Sequence, residues 1–263
     1  MCGRFAVVEP LPDLLSLLGV AGHHVSEKAY ALPIRYNVSP MSFVLTVTRA
    51  PDGGRAADAL RWGLVPWFSH DPSAGARMIN ARRETAWEKP SYRESMAMRR
   101  CLIPVTGFYE WKRASPGAGN FQRPQPYFFR LTEGHPMALG GIWASWRPQA
   151  ESPDLAREGG ADAVAPDGGA GRRDPLRTFA ILTTQANDLV GTLHERMPVI
   201  IPASAWEAWL SPNTPTENVN HLCDPSDPRT LEGYPVTDAV NRSGFEDPRA
   251  VVPIGEPLRL RKA

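Results

Sequence analysis

The 263-residue chain has no run of about 18 apolar residues, so an ordinary transmembrane helix is not expected. The N-terminus also lacks the charged-then-apolar layout of a signal peptide, because Arg4 is followed within a few residues by Glu9 and Pro10. Cysteine is scarce. Cys2, Cys101 and Cys223 are an odd number with no close pair, which argues against a disulfide framework and against a zinc site of the usual spacing. Neither a metal nor any other cofactor is expected. A formal net charge of +1 gives no overall electrostatic identity. These absences leave cytoplasmic residence, and a monomer, as the expectation.

Proline and glycine are plentiful, at 27 and 22 residues, so many short elements joined by turns are expected and long helices are not. Leu11, Leu14, Leu15 and Leu18 recur at helical spacing with Gly19 behind them as a C-terminal cap. Phe43 to Thr48 and Leu60 to Val65 read as strands around a Pro51-Asp52-Gly53-Gly54 turn. Further strands are predicted over Arg100 to Ile103, Phe108 to Lys112, Tyr127 to Leu131, Met137 to Trp143 and Thr178 to Thr184. Ser204 and Glu207 have capping-box spacing before a helix from Ala205 to Leu210, whose Trp206, Trp209 and Leu210 form an apolar stripe. Arg147 to Pro175 is dominated by Gly, Ala and Pro and lacks aromatics, so it reads as a disordered insertion; Arg259 to Ala263 reads as a loose basic tail. The sum is a single α+β domain over 1–263, dominated by short strands. From Arg77 to Arg113 there are nine Lys or Arg against four Glu, a local excess that suits phosphate binding as readily as it suits a solvated face.

Cys2 carries a chemical possibility open to neither of the other cysteines. Aminopeptidase removal of Met1, general when the second residue is small, would leave an α-amine and a thiol on one residue. Their ordinary pKa values lie at about 7.7–8.0 and about 8.5, against about 10.4 for a lysine, so free amine is available near neutrality. An aldehyde can condense with the amine, and the thiol can close on the same carbon to give a five-membered thiazolidine. The plainer reading is a small, inert apolar residue.

Four other segments set polar groups among apolar strands. Met78-Ile79-Asn80-Ala81-Arg82 places an amide and a guanidinium on one face if extended. Gly107 to Lys112 sets Glu110 among Phe108, Tyr109 and Trp111, where desolvation would raise its pKa and suit it to acid–base work. Leu193 to Pro198 offers His194 near Arg196 just before a strand, and Arg35 to Pro40 reads as a polar turn around Asn37. Each alone also fits a surface residue, a salt-bridge partner or a backbone cap.

Taken in order, MCGRF, RYNVSP, RWGLVPWF, INARRET, CLIPVTGFYEWK, ILTTQAN and LHERMPVII resemble the motifs of the SRAP family, the SOS-response-associated proteins that shield abasic sites. The resemblance runs from Cys2 to about Asn241. It implies a mainly β fold around a small barrel with a basic groove for single-stranded DNA, the protein being nucleoid-associated when bound. It further implies that Cys2 is the crosslinking residue and that Asn80 positions its amine or the opened sugar. Glu110 would transfer protons, and His194 would be a second acid–base group. Arg4, Arg82 and Arg196 would hold phosphates beside the lesion, Asn37 would belong to the DNA-binding set, and Trp67 with Phe68 would stack on bases. Phe68 stands where many relatives carry a second tryptophan, and Asp238 to Asn241 matches only loosely and receives no role. Two rival classes stay open: a cysteine peptidase using Cys2, His194 and Glu110, and a non-covalent single-stranded DNA-binding module.

Overall fold

Five strands close on one another through an unbroken ladder. In the computed structural model, which describes residues 2–112, 124–148 and 174–260, the chain forms β1 (Phe5–Val7), β2 (Arg35–Val38), β3 (Phe43–Arg49) and β4 (Arg55–Trp62). Then follow β5 (Asn80–Arg82), β6 (Arg100–Val105), β7 (Gly107–Lys112), β8 (Gln125–Leu131) and β9 (Met137–Trp146). The last strands are β10 (Leu176–Gln185), β11 (Arg196–Pro198), β12 (Ile200–Ile201) and β13 (Leu231–Pro235). Pairing runs β4 to β3, β3 to β6, β6 to β9, β9 to β10 and back to β4, and only the last of these contacts is parallel. Closure leaves no free edge in that ring. A second sheet, ordered β13-β8-β7-β1-β2, grows from it because the chain passes from β6 into β7 with only Thr106 between.

The strands alternate side chains to opposite faces, and the cores divide accordingly. Leu45 and Val47 of β3, Leu102 of β6 and Leu182 of β10 join one cluster, with Leu14, Leu18 and Trp209 from the helices. Their neighbours Val44, Cys101, Ile103 and Ile181 join a second, with Cys2, Phe5, Trp62, Phe108 and Phe129. Cys2 therefore lies at the seam between the barrel and the second sheet.

The fold is the mainly β, α+β barrel that was expected, with local departures. The helix Leu11–Leu17 forms, and Gly19 follows in the left-handed region at φ 62°. The strand expected over Leu60 to Val65 is displaced: β4 is Arg55–Trp62, and Gly63 at φ 128° ends it. Arg35 to Val38 is a strand, not a turn, because β1 supplies its ladder. No side chain caps the helix Trp206–Leu210; a 3-10 turn over Ala203–Ala205 leads into it, so the predicted capping box is absent. Trp206, Trp209 and Leu210 are buried as the stripe required. Most of the Arg147 to Pro175 insertion (149–173) and the end of the tail (261–263) lie outside the described residues. No helix among the described residues is long and apolar enough to cross a membrane.

After Gly63 the chain makes a long loop before β5, and it is pinned at close intervals. The Gly63 and Leu64 amides donate to the Phe179 and Met78 carbonyls at 2.8 and 3.1 Å. The Val65 amide donates to Thr178 Oγ1, and the Arg61 guanidinium to the Pro72 carbonyl, both at 2.8 Å. Trp146 Nε1 donates to the Ser69 carbonyl at 2.7 Å. Gly63 and Gly75 meet backbone to backbone; a Cβ on Gly63 would lie 2.6 Å from the Gly75 carbonyl oxygen, so neither position has room for a side chain.

Candidate functional site

Cys2 is 0% exposed and lies three residues before Phe5, the first residue of β1, which runs between β7 and β2 in the second sheet. Its carbonyl accepts a hydrogen bond from Asn80 Nδ2 at 2.8 Å. Asn80 opens β5, which runs parallel to β10 with Asn80 opposite Ile181. Alternation does what the sequence suggested: Ala81 enters the core, while Asn80 and Arg82 share the other face. Asn80 Oδ1 is buried and has no hydrogen-bond partner among the described residues. The Tyr92 hydroxyl donates to the Asn80 backbone carbonyl at 3.3 Å and steadies the strand from behind.

Glu110 comes from β7, two residues beyond Phe108 and so on the face that holds the Cys2 cluster, while Tyr109 turns into a third core with Phe128 and Tyr234. At 3% exposure its carboxyl is pushed up to about 7, chiefly by burial. Burial, and then the Glu110 charge, push the Cys2 thiol well above its ordinary range. The buried Cys2 and Glu110 and the half-buried Asn80 thus bring polar groups together in an apolar seam.

His194 and Arg196 stand beside the end of β10. The Arg196 amide lies 2.9 Å from His194 Nδ1, and the Arg196 carbonyl oxygen lies 3.2 Å from the same ring nitrogen, so the ring is held against the Arg196 backbone. Arg196 pairs with Gln185 across β10, and Arg82 pairs with Thr183 on the other edge of the same strand. The two arginines differ in their engagement. Arg82 is exposed and makes no ion pair among the described residues. Arg196 grips both oxygens of Glu84 at 2.7 and 2.9 Å and donates to the Thr183 carbonyl at 2.6 Å, with only 13% of its side chain exposed. In this arrangement Arg196 braces Glu84 against β10.

Asn37 also lies beneath the surface. It is fully buried, its Nδ2 donates to the Val240 and Arg242 carbonyls at 3.2 and 2.9 Å, and its Oδ1 accepts from Arg4 Nη1 at 2.7 Å. The same Arg4 nitrogen reaches the Val240 carbonyl at 3.1 Å, and the guanidinium sits 6.0 Å from the Trp111 ring. Trp111 Nε1 donates to Asn241 Oδ1 at 2.6 Å, and Glu246 accepts from Arg35 Nε and from the Tyr36 and Asn37 amides at 2.6, 2.7 and 3.2 Å. The segment from Val240 to Glu246 therefore straps down the residue two after Cys2 and the residue one after Glu110. The segment carries little sequence signal, since Asp238 to Asn241 resembles the family motifs only loosely.

Trp67 and Phe68 project from the pinned loop at 62% and 40% exposure, edge to face with ring centres 5.6 Å apart. The loop starts from Trp62, whose ring lies 4.8 Å from Phe5 and whose Nε1 donates to the Ile79 carbonyl at 2.9 Å, next to Asn80. Of the basic excess between Arg77 and Arg113, Arg100 is buried with its guanidinium on backbone carbonyls, Arg83 pairs with Asp224 and Arg99 with Glu94. Arg77, Arg82, Lys89 and Arg93 are exposed and make no ion pair among the described residues.

A family model described as SOS response associated peptidase (SRAP) matches residues 1–243. The abasic site processing protein YoqW of Bacillus subtilis is 32% identical over 252 residues, covering 95% of this chain and 99% of that protein. The abasic site processing protein HMCES of Gallus gallus is 32% identical over 216 residues, 77% of this chain and 59% of that protein. A crystal structure of a protein from Bacteroides thetaiotaomicron superposes with a TM-score of 0.76 at 22% identity, covering 96% of this chain and 99% of that one.

Proposed function

The chain belongs to the SRAP family, and on that premise we propose that it processes abasic sites in single-stranded DNA, trapping the ring-opened sugar aldehyde on Cys2 as a thiazolidine after loss of Met1. The α-amine adds to the aldehyde carbon and water leaves, giving a Schiff base. The thiol then adds to the same carbon and its proton passes to the nitrogen. One water is released and no oxidant is needed. A thiol held protonated by burial and by Glu110 favours this order, with nitrogen attacking first.

The observation that carries the reading is the 2.8 Å bond from Asn80 to the Cys2 carbonyl beside a carboxyl poised at about 7. A group half protonated at neutrality can give a proton to the departing hydroxyl and take one back during sugar opening. The unpartnered Asn80 Oδ1 suits a donor supplied by the freed amine or by a sugar hydroxyl. His194, at the end of β10 beside Arg196, is the second acid–base group. Arg82 is the phosphate contact that stands ready, and Arg4 and Arg196 add positive charge from bracing positions. Asn37 holds Arg4 in place. Trp67 and Phe68 offer faces to unpaired bases, a contact worth about 1–3 kcal/mol per base.

The test uses the purified full-length chain, its mass measured to establish loss of Met1, incubated with single-stranded DNA bearing one abasic site. A denaturant-resistant band that disappears in Cys2→Ala is the expected result. DNA binding without such a band would favour a non-covalent module, and cleavage of a general peptide substrate would favour a peptidase.

A further inference from the structure

Away from the Cys2 site, a 3-10 turn and a hairpin tip bring three metal-binding side chains together. His23 and His24 end the turn Gly22–His24, and Asp52 lies in the tight turn joining β3 to β4. One donor atom from each lies within 4.8 Å of the other two. His24 Nε2 is 3.2 Å from Asp52 Oδ2, and the two imidazole rings are 4.1 Å apart between centres. The Gly54 amide donates to Asp52 Oδ1 at 2.9 Å, which orients the carboxylate and leaves Oδ2 turned toward the histidines.

We propose that His23, His24 and Asp52 form a site for a divalent transition-metal ion of the zinc and copper class, clamping the turn at 22–24 to the β3–β4 hairpin tip. Two imidazoles and one carboxylate form a donor set that suits zinc, copper or nickel, whereas calcium and magnesium take oxygen ligands. Zinc bonded at about 2.0–2.1 Å in a tetrahedron sets neighbouring donors roughly 3.4 Å apart, close to the His24–Asp52 separation. The His23 ring closes the remaining gap by side-chain rotation. Because His23 and Asp52 are exposed, water completes the coordination and the ion exchanges with solvent. The carboxylate offsets part of the ion's charge, and each imidazole offers one ring nitrogen as a ligand.

The probe is zinc chloride titrated calorimetrically into full-length, tag-free protein carrying Cys2→Ala, which removes the one residue able to chelate zinc through both amine and thiol. One saturable equivalent is expected. Binding should weaken at least tenfold in Cys2→Ala/His24→Ala and in Cys2→Ala/Asp52→Asn, and persist in Cys2→Ala/His221→Ala, which alters another exposed histidine. Copper(II) bound to Cys2→Ala should show electron paramagnetic resonance couplings from two imidazole nitrogens. Absence of saturable binding, equal affinity in the His24 or Asp52 variant, or coupling to a single nitrogen would overturn the site. Circular dichroism checks that each variant is folded, and His23→Ala repeats the test should His24→Ala unfold.

Discussion

Asn80 holds the backbone of Cys2 rather than its thiol: Nδ2 donates to the Cys2 carbonyl at 2.8 Å, tying Cys2 to β5, the strand that carries Arg82 and pairs with β10 of the barrel. A side chain that fixes the main chain of Cys2, the proposed nucleophile, sets its direction without touching the sulfur. Asn80→Ala should therefore slow crosslinking by at least tenfold with little change in affinity for undamaged single-stranded DNA. Single-turnover gel assays beside fluorescence anisotropy measure the two quantities separately, and an equal loss in both would count against a positioning role.

Glu110 predicts a pH dependence of stability. Its folded pKa, about 7, lies above its ordinary value of 4.5, so the neutral form is the one that the fold favours. The contribution is fully present below about 4.5 and is lost as pH rises through about 7. A displacement of this size corresponds to about 3 kcal/mol. Glu110→Gln should flatten the fall in melting temperature between pH 5 and pH 8 and melt higher than the parent at pH 8. The same variant should slow crosslinking strongly while leaving DNA affinity intact. Melts and rates across that range check both.

Arg82 and Arg196 should respond differently to alanine. Removing the exposed Arg82 should weaken single-stranded DNA binding and lower the slope of log affinity against log salt by about 0.7. Arg196→Ala should cost mainly stability, because it leaves the Thr183 carbonyl and Glu84 without their donor. Glu84→Gln should loosen Arg196 and raise DNA affinity. Anisotropy titrations at several salt concentrations, run beside thermal melts, separate these outcomes.

Asn37→Ala removes the acceptor for Arg4 and the donor for the Val240 and Arg242 carbonyls in one step. Each buried group left unsatisfied costs about 1–3 kcal/mol, so a clear drop in denaturation midpoint is expected. Asn37→Asp, which restores the acceptor alone, should recover only part of it. Urea unfolding of the three proteins gives the comparison.

Periodicity and turn chemistry made much of the barrel readable. The β3–β4 hairpin shows through its Pro51 to Gly54 turn, and β6, β9 and β10 through their apolar runs. The misplacement of β4 has a physical cause: Arg55 to Asp58 pairs small alanines with charged ends, and those charges find Leu18 and Arg177 only in three dimensions. Arg35 to Val38 looked like a turn because its pairing partner and its Glu246 anchor lie far away in sequence. The site divides along the same line. The extended geometry of Asn80 and Arg82 and the desolvation of Glu110 follow from local pattern, since alternation and aromatic neighbours determine them. The engagement of Arg196 by Glu84, 112 residues away, and of Asn37 by the Val240 strap has no local signature.

The glycine-to-glycine contact of Gly63 and Gly75 bears on how the exposed aromatics work. The two ends of this loop touch through bare backbone, and its span is fastened to Trp146, Thr178 and Phe179 on both sides of Trp67 and Phe68. Trp67 and Phe68 stand on a fixed post. If, as proposed, these faces receive unpaired bases, most of the bending falls on the flexible nucleic acid. A strand already bent or missing a base should be admitted in preference to a straight, fully stacked one.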